Sequence, residues 1–333
     1  AEYRQIQLDG GWQAVPPGQV IKPGMQDPRM PLIKARLLAS SDLENSYDNN
    51  NVNNYTEGVE TGIRRFQQRH QLDVDGIIGK GTLAQMNVPV EQRIDQIRAN
   101  LERIRWVHRN LGDEYVLVNI AGYRVYYINH NELIWQSRVQ VGTNYRKTPV
   151  FRDDITYLVI NPTWTVPPTI LAKDILPKLK KDISYLQKKN MNIIDSKGNV
   201  INPDSIDWSG VTARHFPYMI RQEPGPANAL GRIKVMFPNS HMVYLHDTPS
   251  KSKFNRVDRA FSSGCIRVEH PFELAELLLK DRDTWNQQSF KEILDSEQLQ
   301  TVKLPQSVPV LLLYFTAEMN VQGQFIFYKD VYN

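Results

Sequence analysis

The hydrophobic period changes once along this 333-residue chain, and that change divides what its two parts can fold into. Up to Asn110 apolar residues recur at helical spacing: Val59, Ile63 and Phe66, then Ile94, Ile97, Leu101 and Ile104. After Gly112 the pattern becomes runs of aromatic and β-branched residues between turn signals. Tyr115–Ile120, Ala121–Ile128, Leu133–Val141 and Ile155–Ile160 predict antiparallel strands. A helical front and a β-rich remainder make an α+β chain, long enough for two or three compact units.

Within the front, residues 1–40 are rich in Pro and Gly and lead into a short helix around Leu32–Ala39. The Asn-rich run Ser40–Asn54 reads as a mobile connection. Residues 41–87 form a small helical unit with a turn through Asp73, Asp75, Gly76 and Gly79. A calcium loop starting at Asp73 would need glutamate at its twelfth position, where Ala84 stands. The helix 90–110 docks back on the residues before 40, which makes 1–40 and 88–111 a helical scaffold and 41–87 an insertion in it.

Composition excludes more than it identifies. Hydrophobic residues at 41% and charged residues at 23% are ordinary for a globular chain. A net charge of +4 is too weak to argue for nucleic acid, and no apolar run is long enough to span a membrane. The chain starts at Ala1 without a signal-like segment, as a mature form would.

The chemistry gathers around the single cysteine. Cys265 cannot form an internal disulfide and is a poor start for a zinc site, so it is either a buried small residue or a nucleophile. His70, His130, His215 and His270 lack ligand spacing, and no metal or cofactor is expected. Ser262, Ser263 and Gly264 let backbone approach a substrate, and the apolar stretch from Pro271 to Leu279 reads as a helix. His246 closes a strand-like run from Met242 and is followed by Asp247, Thr248 and Pro249. A thiol of pKa about 8.5 is only a few per cent thiolate at neutral pH, so it needs such a partner. Proton transfer to histidine, or an ion pair with it, supplies the thiolate and then an acid for the leaving amine. His241 falls on the opposite strand face and is a poor base.

The spacing of His246, fifteen residues, then Ser, any residue, Gly264 and Cys265 resembles the signature of the YkuD-type L,D-transpeptidases. This chain departs from it at Ser263, where the family usually has histidine, and at Arg267, where asparagine is common. The Gly142, Thr148, Pro149 and Trp164 segments resemble the first half of the family's β-sandwich. The motif around Gln67, His70 and Gly79 resembles a three-helix peptidoglycan-binding domain. The whole is most similar to the large Gram-negative members of the YcbB type.

What the resemblance implies can be stated residue by residue. The fold would be a mostly antiparallel β-sandwich over 112–333, with a helical capping insertion at 169–218 that gates the substrate. Cys265 would be the nucleophile and His246 the base. The oxyanion and substrate would meet Gly264, Tyr244, Ser263, Arg267 and Trp164. The reaction would form 3-to-3 cross-links in peptidoglycan by way of a cysteine thioester, releasing the terminal D-alanine of a tetrapeptide stem. Carboxypeptidase, endopeptidase or protein-anchoring activity on the same dyad remains open, as does a non-catalytic wall-binding scaffold. The partners implied are peptidoglycan stem peptides, carbapenems as covalent inhibitors, and cell-wall synthesis proteins. The location implied is the periplasm or cell envelope, with any membrane anchor in a segment outside this sequence.

Overall fold

The computed structural model describes every residue except 1, 45–51, 109–110, 209, 282 and 321. Most of the middle of the Ser40–Asn54 run, expected to be a mobile connection, lies outside the described residues. The chain separates into two compact units, one of residues 1–111, 119–122 and 314–333, the other of 112–118 and 123–313.

The first unit holds α1 (Glu2–Leu8), α2 (Met30–Ala39), α3 (Glu57–Arg69), α4 (Lys80–Met86) and α5 (Val90–His108). One core joins Ile33 and Leu37 of α2 to Val59, Ile63 and Phe66 of α3 and to Leu83 and Met86 of α4. The module boundary expected at residue 41 therefore cuts through a core, because α2 supplies three of its fully buried side chains, Met30, Ile33 and Leu37. Residues 314–333, read above with the catalytic domain, belong to this unit. Their hairpin of Ala317–Met319 and Phe325–Phe327 packs Phe325 and Phe327 edge-on to Tyr3 of α1.

The second unit is built on nine hydrogen-bonded strands. They are β1 (Glu114–Asn119), β2 (Arg124–Asn129), β3 (Glu132–Gly142), β4 (Phe151–Ile160), then β9 (Ile233–Met236), β10 (Leu245–His246), β11 (Ala260–Ser262), β12 (Ile266–Val268) and β13 (Gln300–Leu313). Their order is β11-β3-β12-β10-β9-β4-β13-β1-β2, and β2 also pairs with β3, so eight strands close on themselves with β11 outside. Closure removes the exposed edges that an open sheet of this size would carry. β10 with β12 and β11 with β3 are parallel, while β9–β10, β3–β12, β4–β13, β2–β3 and β4–β9 are antiparallel.

Between β4 and β9 lies an insertion with its own small sheet. Its strands β5 (Trp164–Thr165), β6 (Met191–Ile194), β7 (Val200–Ile201) and β8 (Met219–Gln222) run in the order β5-β8-β6-β7. Short helices α6 (Pro168–Ile170), α7 (Leu176–Leu179) and α8 (Tyr185–Lys188), with a π turn over Leu171–Ile175, bury Leu171, Ile175, Leu179 and Leu186 against Ile193 and Ile220. The basic stretch Leu171–Lys189, whose sequence reads as a helix interrupted or started at Pro177, folds as short helical pieces with a turn after Leu179, and its lysines stay at the surface. Two helices follow β12: α9 (Pro271–Leu279) and α10 (Gln287–Asp295). Among the described residues no helix is long and apolar enough to cross a membrane.

Candidate active site

Strand pairing sets the geometry of the site. His246 lies opposite Arg267 in the parallel pair β10–β12 and opposite Lys234 in the antiparallel pair β9–β10. Arg267 in turn faces Gln140 of β3. Directly paired residues project from the same side of a sheet, so Lys234, His246, Arg267 and Gln140 form one row across four strands. Two residues before His246 and Arg267 come Tyr244 and Cys265, which return to that face by the period of two. The structure thus brings Cys265, His246, Tyr244 and Arg267 together, and adds Lys234.

The strand expected over Met242–His246 is confined to Leu245 and His246. Asn239 explains the shortening. Its amide oxygen accepts from the His241 and Val243 N–H groups and its amide nitrogen donates to the Phe237 and Val243 carbonyls, which ties the preceding residues into a turn. Met242 has a left-handed φ of 54° there. His241 is exposed and packs on Phe151, with ring centroids 4.8 Å apart.

Cys265 follows a loop whose polar groups are largely committed. The Ser262 hydroxyl donates to the Cys265 carbonyl at 2.5 Å and accepts from the Gly264 N–H at 3.1 Å. Thr148 donates to the Gly264 carbonyl at 2.8 Å. Gly264 has φ of +120°, a conformation that any side chain would strain, so glycine is required at this turn. Because its N–H is given to Ser262, that group is not free for an oxyanion in this conformation. Ser263 is exposed and its hydroxyl accepts from Arg146 at 2.8 Å, while Arg146 also pairs with Asp174 of the insertion at 2.8 Å. Trp164 lies in β5 and packs with the insertion's apolar cluster.

Tyr244 is the polar neighbour that most favours the thiolate, through its backbone N–H and its phenolic hydroxyl. The thiol itself lies 3.8 Å from the Met242 carbonyl. Burial pushes the Cys265 thiol up from its ordinary value, and the Tyr244 donors, Lys234 and Arg267 pull against that. The Lys234 ammonium sits 4.3 Å over the Tyr244 ring.

His246 is almost fully buried, and its Nδ1 lies 2.5 Å from the Asp247 carbonyl. Burial first, then the Arg267 charge, pushes the imidazole down to about 3, against the Asp247 and Leu230 carbonyls, which favour its charged form. A raised thiol and a depressed imidazole both disfavour a resting ion pair. Of the two routes left open by the sequence, proton transfer during attack is the one this environment favours. Among the described residues no direct hydrogen bond joins the Cys265 sulfur to the His246 ring. The Tyr244 ring meets the His246 ring edge-on, with centroids 5.6 Å apart.

The group that orients His246 was missed by sequence reasoning because it is a backbone carbonyl. Its carrier, Asp247, is held on several sides. Its carboxylate accepts from the Arg232 N–H at 2.9 Å and from Lys251 Nζ at 2.5 Å, and its N–H donates to the Ile233 carbonyl at 2.9 Å. Gly231, at φ +63°, makes room, since a Cβ there would lie 2.4 Å from the Asp247 side chain. The signal available in sequence was the Gly231 and Asp247 pair, which only the fold brings together.

A half-buried thiol and a buried, oriented imidazole on one sheet face can perform acyl transfer. Residues 113–287, more than half of the chain, match the family model described as the L,D-transpeptidase catalytic domain, YkuD. The chain belongs to that family. Residues 30–86 match the family described as "Putative peptidoglycan binding domain", and this span begins at α2, as the core requires. A Haemophilus influenzae protein described as "Putative L,D-transpeptidase" is 41% identical over 217 residues, 65% of this chain and 44% of that one. The match thus spans less than half of the relative's length. Solved structures with some likeness include an L,D-transpeptidase from Mycobacterium smegmatis, at 11% identity, 60% and 58% of the two chains and a TM-score of 0.28. Another is the catalytic domain of Enterococcus faecium L,D-transpeptidase acylated by ertapenem, at 12% identity, 61% and 99% of the chains and a TM-score of 0.29. Likenesses this faint add nothing to the assignment, which rests on the L,D-transpeptidase domain match.

Proposed function

We propose that this member of the L,D-transpeptidase family forms 3-to-3 cross-links in peptidoglycan through a thioester on Cys265. The single observation that supports the reading is the placing of Cys265, Tyr244 and His246 on one face of the closed sheet, with the imidazole fixed by the Asp247 carbonyl. The Cys265 sulfur attacks the carbonyl joining the third and fourth residues of a donor stem while His246 takes the thiol proton. The tetrahedral intermediate collapses, the C–N bond breaks, and His246 returns the proton to the departing D-alanine amine. A side-chain amine of a second stem then attacks the thioester. It gives a proton to His246, an amide forms, and the thiol is restored. The Tyr244 donors stabilise charge at sulfur, and stem peptides dock between this face and the insertion at 169–218, which acts as a gate. Residues 30–86 hold the chain on the polymer, which lies in the cell envelope, and carbapenems acylate Cys265.

Incubation with disaccharide-tetrapeptides, read by mass spectrometry, tests the reading. Dimers with loss of D-alanine, absent for Cys265→Ala, are expected. Tripeptides without dimers would turn the reading to hydrolysis, and no product at all would sink it.

A further inference from the structure

The row that carries His246 has a cation on each side of it. Lys234 is opposite His246 on β9, and Arg267 is opposite it on β12. Both are partly buried and both act on the Cys265 sulfur, Lys234 from above the Tyr244 ring and Arg267 from its own strand. Arg267 gives one terminal nitrogen to Gln140 Oε1 at 3.2 Å, while its Nε is buried without a partner. Among the described residues no carboxylate forms an ion pair with Lys234 or Arg267. The acids nearest in sequence are committed elsewhere: Glu269 to Arg138, Glu223 to Arg221, and Asp247, beside His246, to Lys251 and the Arg232 N–H. Two partly desolvated cations beside a nucleophile, without an anionic partner, make a receptor for an anion that arrives with the substrate.

Position says which anion. In the proposed reaction His246 hands its proton to the amine of the departing residue, so that amine reaches His246. In an amino acid the α-carboxylate is one carbon from the amine, and it falls within reach of the side chains flanking His246. We propose that Lys234 and Arg267 receive the free carboxylate of the leaving residue, so that the site acts on the last residue of a peptide rather than on an interior bond. This rests on the acyl-transfer reading above and assigns it a specificity element, with Lys234 as a substrate-binding residue that no motif announced. The ammonium also stays over Tyr244, so carboxylate docking and the donor at sulfur are built from one contact.

Two measurements test this, one with substrate and one without. The first compares D-alanine release from a tetrapeptide with release of D-alaninamide from its C-terminal amide, in the native chain and in Lys234→Met. Loss of a charge-assisted contact is expected to lower kcat/KM for the acid by about tenfold or more, with a much smaller loss for the amide. Equal losses for the two substrates, or a native chain that does not distinguish them, would overturn the proposal. The second compares alkylation of Cys265 by iodoacetate and by neutral iodoacetamide, followed by intact mass. The native chain is expected to favour the anionic reagent, and Lys234→Met to lose about tenfold of that preference. An unchanged ratio overturns the anion receptor. If the ratio shifts while no D-alanine is released by any form, the receptor stands and the acyl-transfer reading, with the leaving carboxylate, falls.

Discussion

Two histidines in this chain are buried in nearly the same way, and only one sits beside a nucleophile. His70, in the helical unit, points Nδ1 at the Phe66 carbonyl at 2.8 Å, and His246, in the sheet unit, points Nδ1 at the Asp247 carbonyl at 2.5 Å. Both rings are 2–3% exposed, and both are pushed well down by burial together with arginine neighbours. Around His70 the cations are spent on structure. Its ring stacks on Phe66 with centroids 3.9 Å apart, Arg69 pairs with Asp42, Arg36 lies 3.6 Å over Trp12 and Arg93 4.5 Å over Phe327. Around His246 the face instead carries a thiol, a phenol and two cations. A buried, neutral, carbonyl-anchored histidine is therefore no mark of catalysis by itself, and the difference lies in what shares its face.

The largest effect that would break this comparison is an exchange of roles. His246→Gln is expected to lower D-alanine release by about 10³-fold, within the range for a lost general base. His70→Gln is expected to leave kcat/KM within about twofold while lowering unfolding stability by roughly 1–3 kcal/mol in urea titrations, the cost of disturbing a buried polar group. Large losses of turnover in His70→Gln with unchanged stability would remove the distinction.

A second effect acts on the support of His246 rather than on the ring. Gly231→Ala drives a Cβ into Asp247 at a positive φ, and should cost roughly 1–3 kcal/mol and lower turnover by at least about tenfold. Full turnover in a destabilised Gly231→Ala would show that the Asp247 carbonyl does not orient the base.

The pH response is smaller and has a worked sign. Each folded imidazole binds its proton less readily than its unfolded counterpart. The stability both histidines contribute is therefore complete above about pH 6.5, the ordinary imidazole value, and falls as pH is lowered, for His246 down to about 3. Acylation should show no acid limb between about pH 5 and 8, because His246 stays neutral there. A limb near 6.5 in the native chain, lost in His246→Gln, would contradict the burial argument. Smallest is Tyr244→Phe, expected to slow iodoacetamide alkylation of Cys265 at pH 8 severalfold by removing one donor to sulfur.

How much of this was legible follows from where the information lies. The change of period at Gly112 separates helical from β-rich sequence, and His246 with Cys265 is readable because spacing along a loop is a local property. Closure of the strands is not local, since β2 and β3 are a simple hairpin in sequence and only the path through β12, β10 and β9 makes them complete a ring. Lys234 carries no sequence signal for the same reason: it is twelve residues from His246, and only antiparallel register puts them side by side. Trp164 reads as a cleft residue, yet as part of β5 it packs with the insertion's apolar cluster. The Asp247 carbonyl has no sequence signal at all, because every residue carries one.

The claim on which the rest depends is that one sulfur is acylated with help from one neutral imidazole. Intact-mass analysis after carbapenem exposure tests it most directly. The account predicts one adduct per chain, mapped to Cys265, absent in Cys265→Ala and formed at least about a hundredfold more slowly in His246→Gln. An adduct on another residue, or one formed at the native rate in His246→Gln, would contradict it.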